Sequence, residues 1–161
     1  MPGGKIVFYT GILPVAENKD GIAAIMGHEV AHALLDHGGQ RMSAILAQQG
    51  LNLVALKATE KQPGKTQKAV LTAYGIGSNV GTLLPFSRKH ETEADKIGFE
   101  LMILAGYNPE EAPKLWERMK ATSKGNAPSE ILSTHPSNQK RIENLKRWIP
   151  EARWLASEIK G

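Results

Sequence analysis

The chain has 161 residues and no cysteine, with 41% hydrophobic and 22% charged residues and a net charge of +4. That is one domain's worth of sequence, able to bury a core without disulfides, and it offers no thiolate as nucleophile or metal ligand. The positive surplus divides evenly between the two halves, and no apolar run is long enough to span a bilayer, so the composition indicates neither nucleic-acid binding nor a membrane span.

In chain order, Lys5–Thr10 is β-branched and aromatic between Gly4 and Gly11 and predicts a strand. Past Pro14, Asp20 reads as the N-cap of a helix that runs to His37, with Gly38-Gly39 as its stop. Ile22, Ile25, Met26, Val30, Ala33 and Leu34 recur at three- and four-residue intervals and supply that helix with a face to bury. A second helix is expected from Gln40 to about Thr59, then a loop at residues 61–65 and a glycine-interrupted helical stretch over Thr66–Leu84. Pro85 should break the chain before a long helix from Ser87 to about Ala105.

Asn108 is placed to cap the next helix, with Pro109 in its first turn and Glu110 and Glu111 at its positive end; it should run to about Ser123. Lys124–Ser133 reads as a loop. A last helix begins near Pro136 with Ile142, Leu145 and Trp148 on one face, and Pro150 restarts a short tail helix. The pattern predicts an α+β domain, predominantly helical, with one small β-sheet.

The chemistry starts at His28-Glu29-Val30-Ala31-His32, an HExxH pattern inside the first long helix. Two histidines four apart lie one turn above each other on one face, so both rings can reach a single ion. Neutral imidazole suits Zn²⁺, and Glu29 beside the same face can take a proton from an attacking water and pass it to a leaving amine. A catalytic zinc needs a third protein ligand. A further histidine at HExxHxxGxxH spacing is absent, because Leu35 and Gly38 hold those positions; His37 reads instead as a solvent-facing residue in the helix's last turn.

The other source is a carboxylate from a separate helix. Glu91 and Asp95, in Ser87-Arg88-Lys89-His90-Glu91-Thr92-Glu93-Ala94-Asp95, are four apart on one face, while Glu93 points elsewhere. Glu91 can then reach the ion while Asp95 hydrogen-bonds a histidine of the HExxH helix and fixes its tautomer. Without the histidine pair upstream, the same residues would read as a charged, solvated helix face.

Five blocks in this order resemble the HtpX-like and CAAX-prenyl-protease-like zinc metallopeptidases of peptidase family M48. They are Pro2-Gly3-Gly4 before the strand, His28–His32, Ser87-Arg88 with Glu91 and Asp95, Gly106-Tyr107-Asn108-Pro109, and Ser133-Thr134-His135-Pro136 followed by Arg141-Ile142. The Ser-Arg-Lys and Ser-Thr-His-Pro-Ser blocks are nearest the Oma1-type and bacterial periplasmic branches. The resemblance implies one Zn²⁺ per chain on His28, His32 and Glu91, with Glu29 as general base and Asp95 behind the ligands. It makes His135 a residue that either stabilises the oxyanion or occupies the open coordination position at rest; its own sequence setting, before a proline at a helix start, suggests a cap or a surface position.

The implied fold is a zincin-like domain over residues 1–161 with the edge strand bordering the active site, where an extended substrate could add to it. Family members carry a helical segment before the Pro-Gly-Gly strand, so the resemblance also implies a missing N-terminal segment, which could hold a leader or anchor. The implied function is zinc-dependent endoproteolysis of unfolded or membrane-associated proteins in quality control, in the periplasm or at the membrane of the bacterial envelope. A closed metal site serving a binding or chaperone-like module, and a helical domain with an accidental HExxH, are the competing classes.

Overall fold

The computed structural model describes residues 5–78, 84–122, 135 and 139–160. A 3-10 turn, Thr10–Ile12, leads into the short helix α1 (Leu13–Ala16). The long elements follow: α2 (Lys19–Leu34), α3 (His37–Ala58), α4 (Gly64–Ser78), α5 (Leu84–Leu104), α6 (Glu111–Thr122) and α7 (Gln139–Lys160).

The expected strand and sheet are absent among the described residues. Tyr9 has extended backbone (φ −87°, ψ 121°), yet residues 5–9 form no ladder. A strand needs a second extended segment to receive its backbone hydrogen bonds, and the rest of the described chain is helices and their short connections, so none is available. The predominantly helical expectation holds; the sheet, and with it the edge strand beside the site, does not.

Several boundaries also move. Asn18, not Asp20, caps α2: its Oδ1 accepts from Gly21 N at 2.9 Å, while Asp20 Oδ1 accepts instead from Asn108 N at 3.0 Å and ties α2 to the α5–α6 turn. Gly38-Gly39 opens α3 rather than stopping α2. Asp36 turns the chain in left-handed conformation (φ 50°) and caps α3 by accepting from Gly39 N at 3.2 Å, an approach so close that a Cβ on Gly39 would lie 2.4 Å from the Asp36 carboxylate. Pro85 falls in the first turn of α5, where its missing N–H costs nothing.

Helix α7 continues through Pro150 instead of restarting there. Ile142, Leu145 and Ala152 are buried and Trp148, Ile149 and Leu155 pack against the same core, so one apolar face holds the turns on both sides of the proline. The loop expected at Lys124–Ser133 and the helix start expected at Pro136 lie outside the described residues.

Helices α2, α5, α6 and α7 enclose the core, with Leu115, Met119, Ile142 and Leu145 essentially inaccessible. Each such side chain stabilises the fold by about 1.5–3 kcal/mol relative to exposure. Arg118 closes one end: its Nε donates to Val15 O at 2.7 Å and its Nη2 to Ala16 O and Glu111, so α6 satisfies the last carbonyls of α1. Helices α3 and α4 pack on each other as a hairpin and leave large apolar side chains in solvent, with Leu53 at 67%, Val54 at 66% and Leu46 at 59% exposure. No charged residue lies between Arg41 and Lys57. Among the described residues, no helix is long and apolar enough to cross a membrane.

The contact that positions everything else is the crossing of α2 and α5. Gly27 and Gly98 meet back to back: a Cβ on Gly27 would lie 2.4 Å from Gly98 O, and one on Gly98 would lie 2.6 Å from both Gly27 C and His28 N. These are backbone atoms, so a side chain at either position must push the helices apart. Gly98→Ala should therefore destabilise the protein by about 2–3 kcal/mol, lowering the melting temperature by roughly 5–10 °C. Thermal unfolding checks this; a wild-type melting temperature would mean the helices do not meet at this pair.

Candidate metal centre

Helix α2 carries His28 and His32 one turn apart, with His28 buried and the two rings edge to face at 4.6 Å between centroids. Their Nε2 atoms face each other at 3.1 Å. Across the glycine crossing, α5 brings Glu91 so that its carboxylate lies 3.4 Å from each of these nitrogens. His135 completes the group: its Nδ1 is 2.9 Å from Glu91 Oε1 and 3.4 Å from His28 Nε2.

Neighbouring donor atoms in this cluster are 2.9–3.4 Å apart, with Glu91 contributing both oxygens, close to the roughly 3.3 Å expected between ligands about 2.0–2.1 Å from a tetrahedral ion. Two imidazole Nε2 atoms pointing at one another have no mutual hydrogen bond when both are lone pairs, so a cation between them resolves the contact. The donor set therefore fits a metal. Glu29, the expected base, lies on the next position of α2 with its carboxylate 3.3 Å from His135 Nε2. His135 thus faces the donor cluster with one nitrogen and Glu29 with the other, a buried-side position rather than a surface cap.

A second layer of charge supports this cluster. His28 Nδ1 has Asp95 Oδ1 at 3.1 Å. Arg141 grips Asp95 with two donors, Nε to Oδ2 at 2.7 Å and Nη2 to Oδ1 at 2.6 Å, and reaches Glu91 Oε2 with Nη1 at 2.9 Å. Its guanidinium lies 3.7 Å over the Trp116 ring, which in turn packs roughly perpendicular to His28 at 5.6 Å between centroids.

Burial penalises charge on both carboxylates, but the imidazole donors around Glu91, His135 first among them, hold its carboxyl far below the ordinary range. Arg141, then His28, outweigh burial at Asp95 and lower its pKa. Burial also works against a proton on His28, yet Asp95 and Glu91 outweigh it and raise that histidine's pKa. Burial lowers the pKa of His32. The cluster is an anionic pocket that already draws positive charge toward His28.

The structure thus brings together all six residues singled out from the sequence: Glu29, His28, His32, Glu91, Asp95 and His135. Arg141 is a residue that sequence reasoning missed as a functional group. Its signal was present, since Arg141, Leu145 and Trp148 share one face at i, i+4 and i+7, and an arginine on an apolar face needs a buried anion. His37 must be corrected. It is buried at the start of α3, not solvent-facing at the end of α2, because the turn at Asp36 folds it back with its Nδ1 2.9 Å from His32 Nδ1. Glu93, expected to point elsewhere, reaches the far side of that ring, 3.4 Å from His37 Nε2.

Removing Arg141 would leave two buried carboxylates without their cation. Arg141→Leu should cost about 3–5 kcal/mol. Arg141→Lys should recover only part, because an ammonium cannot grip Asp95 with two donors and reach Glu91 at once. Denaturant unfolding of the three proteins checks this ranking, and equal stabilities would contradict the buried network.

Comparison with known proteins agrees with the motif blocks. A profile of peptidase family M48 matches residues 1–149. The chain is 40% identical over 154 residues to the mitochondrial metalloendopeptidase OMA1 of Schizosaccharomyces pombe, covering 94% of this chain and 43% of that protein. It is 38% identical over 160 residues to OMA1 of Saccharomyces cerevisiae, with the same coverage of 94% and 43%. The beta-barrel assembly-enhancing protease of Escherichia coli is 28% identical over 151 residues, covering 89% of this chain and 30% of that protein. The chain therefore spans less than half the length of these curated relatives. No solved structure matches it. With a profile that covers nearly the whole chain and includes every residue of the cluster, the protein belongs to peptidase family M48.

Proposed function

We propose that this chain is the catalytic domain of a zinc-dependent endopeptidase, with His28, His32 and Glu91 as metal ligands and Glu29 as general base. The observation that carries the reading is the convergence of two imidazole Nε2 atoms and a carboxylate on one point, with a second carboxylate, Glu29, at its edge. When bound, zinc supplies a lowered pKa for water and polarisation of the scissile carbonyl. Glu29 takes the proton from the attacking water and delivers it to the leaving amine. Asp95, held by Arg141, keeps His28 with its Nε2 lone pair toward the ion.

His135 offers a fourth donor to the same point, and in this reading it would serve as a resting-state gate that moves aside when substrate binds. Once displaced, its ring remains next to Glu29 and can donate to the developing oxyanion. The alternative, a closed site serving a binding module, draws on the same His135 contact and differs in predicting no turnover.

The substrates are unfolded or membrane-associated proteins, in quality control at the bacterial envelope. Two features favour this reading: α3, which starts beside the cluster, presents uncharged apolar surface, and the similar proteins are named as a mitochondrial metalloendopeptidase and a beta-barrel assembly-enhancing protease.

The purified chain should contain one zinc and cleave an unfolded protein such as casein, and a chelator should abolish the cleavage. Glu29→Gln should keep the zinc and lose turnover by about a hundred-fold or more, since the amide cannot accept the proton. Glu91→Gln should lose the zinc. Zinc lost from Glu29→Gln, or turnover retained there, would remove Glu29 from the role of base.

For His135→Ala, the gate reading expects retained zinc with faster cleavage of unfolded substrates. A loss of about a hundred-fold in turnover would instead make oxyanion stabilisation its main role. Wild-type zinc content together with wild-type turnover would make it a bystander.

A further inference from the structure

Metal-ligating histidines need their second ring nitrogen held, because that hydrogen bond sets the tautomer and the ring plane. His28 has Asp95 for this purpose. Among the described residues, the neighbour of His32 Nδ1 is His37, at 2.9 Å between Nδ1 atoms. We propose that His37, backed by Glu93, is the positioning residue for His32, an inference that rests on the metal-ligand reading above.

The hydrogen-bond logic runs in one direction only. His32 must keep a lone pair on Nε2 to face the ion, so its Nδ1 carries the hydrogen and donates to His37 Nδ1. His37 is then the Nε2–H tautomer, with Glu93 Oε2 3.4 Å from that nitrogen. No other neutral tautomer of His37 accepts from His32 and offers a hydrogen toward Glu93.

The ring plane of His37 is fixed by a separate set of contacts. His90 stacks on it at 4.0 Å between centroids with only 10° between planes. The Nε2 of His90 donates to Gln40 Oε1 at 3.1 Å, and Gln40 Nε2 donates to Leu35 O at 2.7 Å. The first turn of α3 is thus tied to the end of α2 and to α5, and His37 is clamped between them.

The same group, His37, His90 and Glu93, is compact enough to resemble a second cation site. Its geometry argues otherwise. Parallel stacked rings send their in-plane lone pairs side by side rather than to one point, and His37 Nδ1 is already committed to His32.

Zinc affinity, measured by competition with a chromophoric chelator, and the visible absorption of the cobalt-substituted protein test the proposal without reference to activity. His37→Phe fills the space and removes the acceptor; it should weaken zinc binding by about 10- to 100-fold and shift the cobalt bands. His37→Asn, whose side-chain oxygen can sit where Nδ1 sits, should restore affinity to within a few-fold of wild type although the stack on His90 is lost. Far-ultraviolet circular dichroism establishes that each variant is folded, and if His37→Phe is not, His37→Asn compared with His37→Ala decides the same point.

Wild-type affinity in His37→Phe would overturn the proposal, as would equal losses in His37→Asn and His37→Phe, which would leave only packing. Two zinc ions per wild-type chain would overturn it in favour of a second site. Failure of the wild-type chain to bind zinc at all would overturn the metal-ligand reading itself, and this proposal with it.

Discussion

Everything at the centre depends on how closely two helices can approach. Helix α2 carries both histidines and Glu29, and α5 carries Glu91, Asp95, His90 and Glu93; neither helix alone makes a site. Side-chain carboxylates are short, so the helices must cross nearly backbone to backbone for Glu91 to lie 3.4 Å from two imidazoles of its neighbour. Gly27 and Gly98 permit that approach, and Gly27 immediately precedes the first histidine. The closeness that sets the donor geometry is the same closeness that leaves no room for a Cβ.

Bringing carboxylates and imidazoles together out of water carries a large desolvation penalty, which the surrounding network offsets. Arg141 supplies a full positive charge to two buried acids, and its face lies on Trp116 rather than in solvent. This arrangement separates duties. Asp95 is engaged by the guanidinium and His28 together, whereas Glu91 keeps an oxygen facing the imidazole cluster. The second histidine is supported differently, through the ring of His37 and a Glu93 side chain that is 42% exposed. The two imidazoles of the HExxH pair are therefore unequal: one is anchored to the core, the other to the base of the α3–α4 hairpin.

That hairpin gives the molecule its asymmetry. The core helices bury their apolar faces against one another, while α3 and α4 cover only part of theirs. Uncharged, apolar helical surface of this extent is unusual for a water-facing element and normally meets a partner or an interface. Because α3 begins at His37, whatever the hairpin meets is joined through one helical turn to the ring that backs His32.

Local pattern was enough to find the HExxH pair, the glutamate between its histidines, the ExxxD helix and most helices, because i, i+4 spacing on a helix defines a face without reference to anything distant. It also pointed to Glu91 as a partner, since two histidines leave a ligand vacancy that chemistry must fill. What it could not supply were contacts between elements remote in sequence. The strand at residues 5–10 was misread because β-propensity says nothing about whether a pairing partner exists. The pair Gly38-Gly39 was misread as a stop because the same glycines serve an Asp36 cap when the chain turns left-handed, and that single turn decided whether His37 faced water or His32. Arg141 lies 46 residues from Asp95, and only the packing of α7 on α5 brought them within hydrogen-bonding distance. The sequence by itself determined which residues could do the chemistry, since that follows from side-chain type and helical period. The tertiary structure alone decided which buried groups hold them in place, because buried charges and tautomers are satisfied by neighbours that only folding supplies.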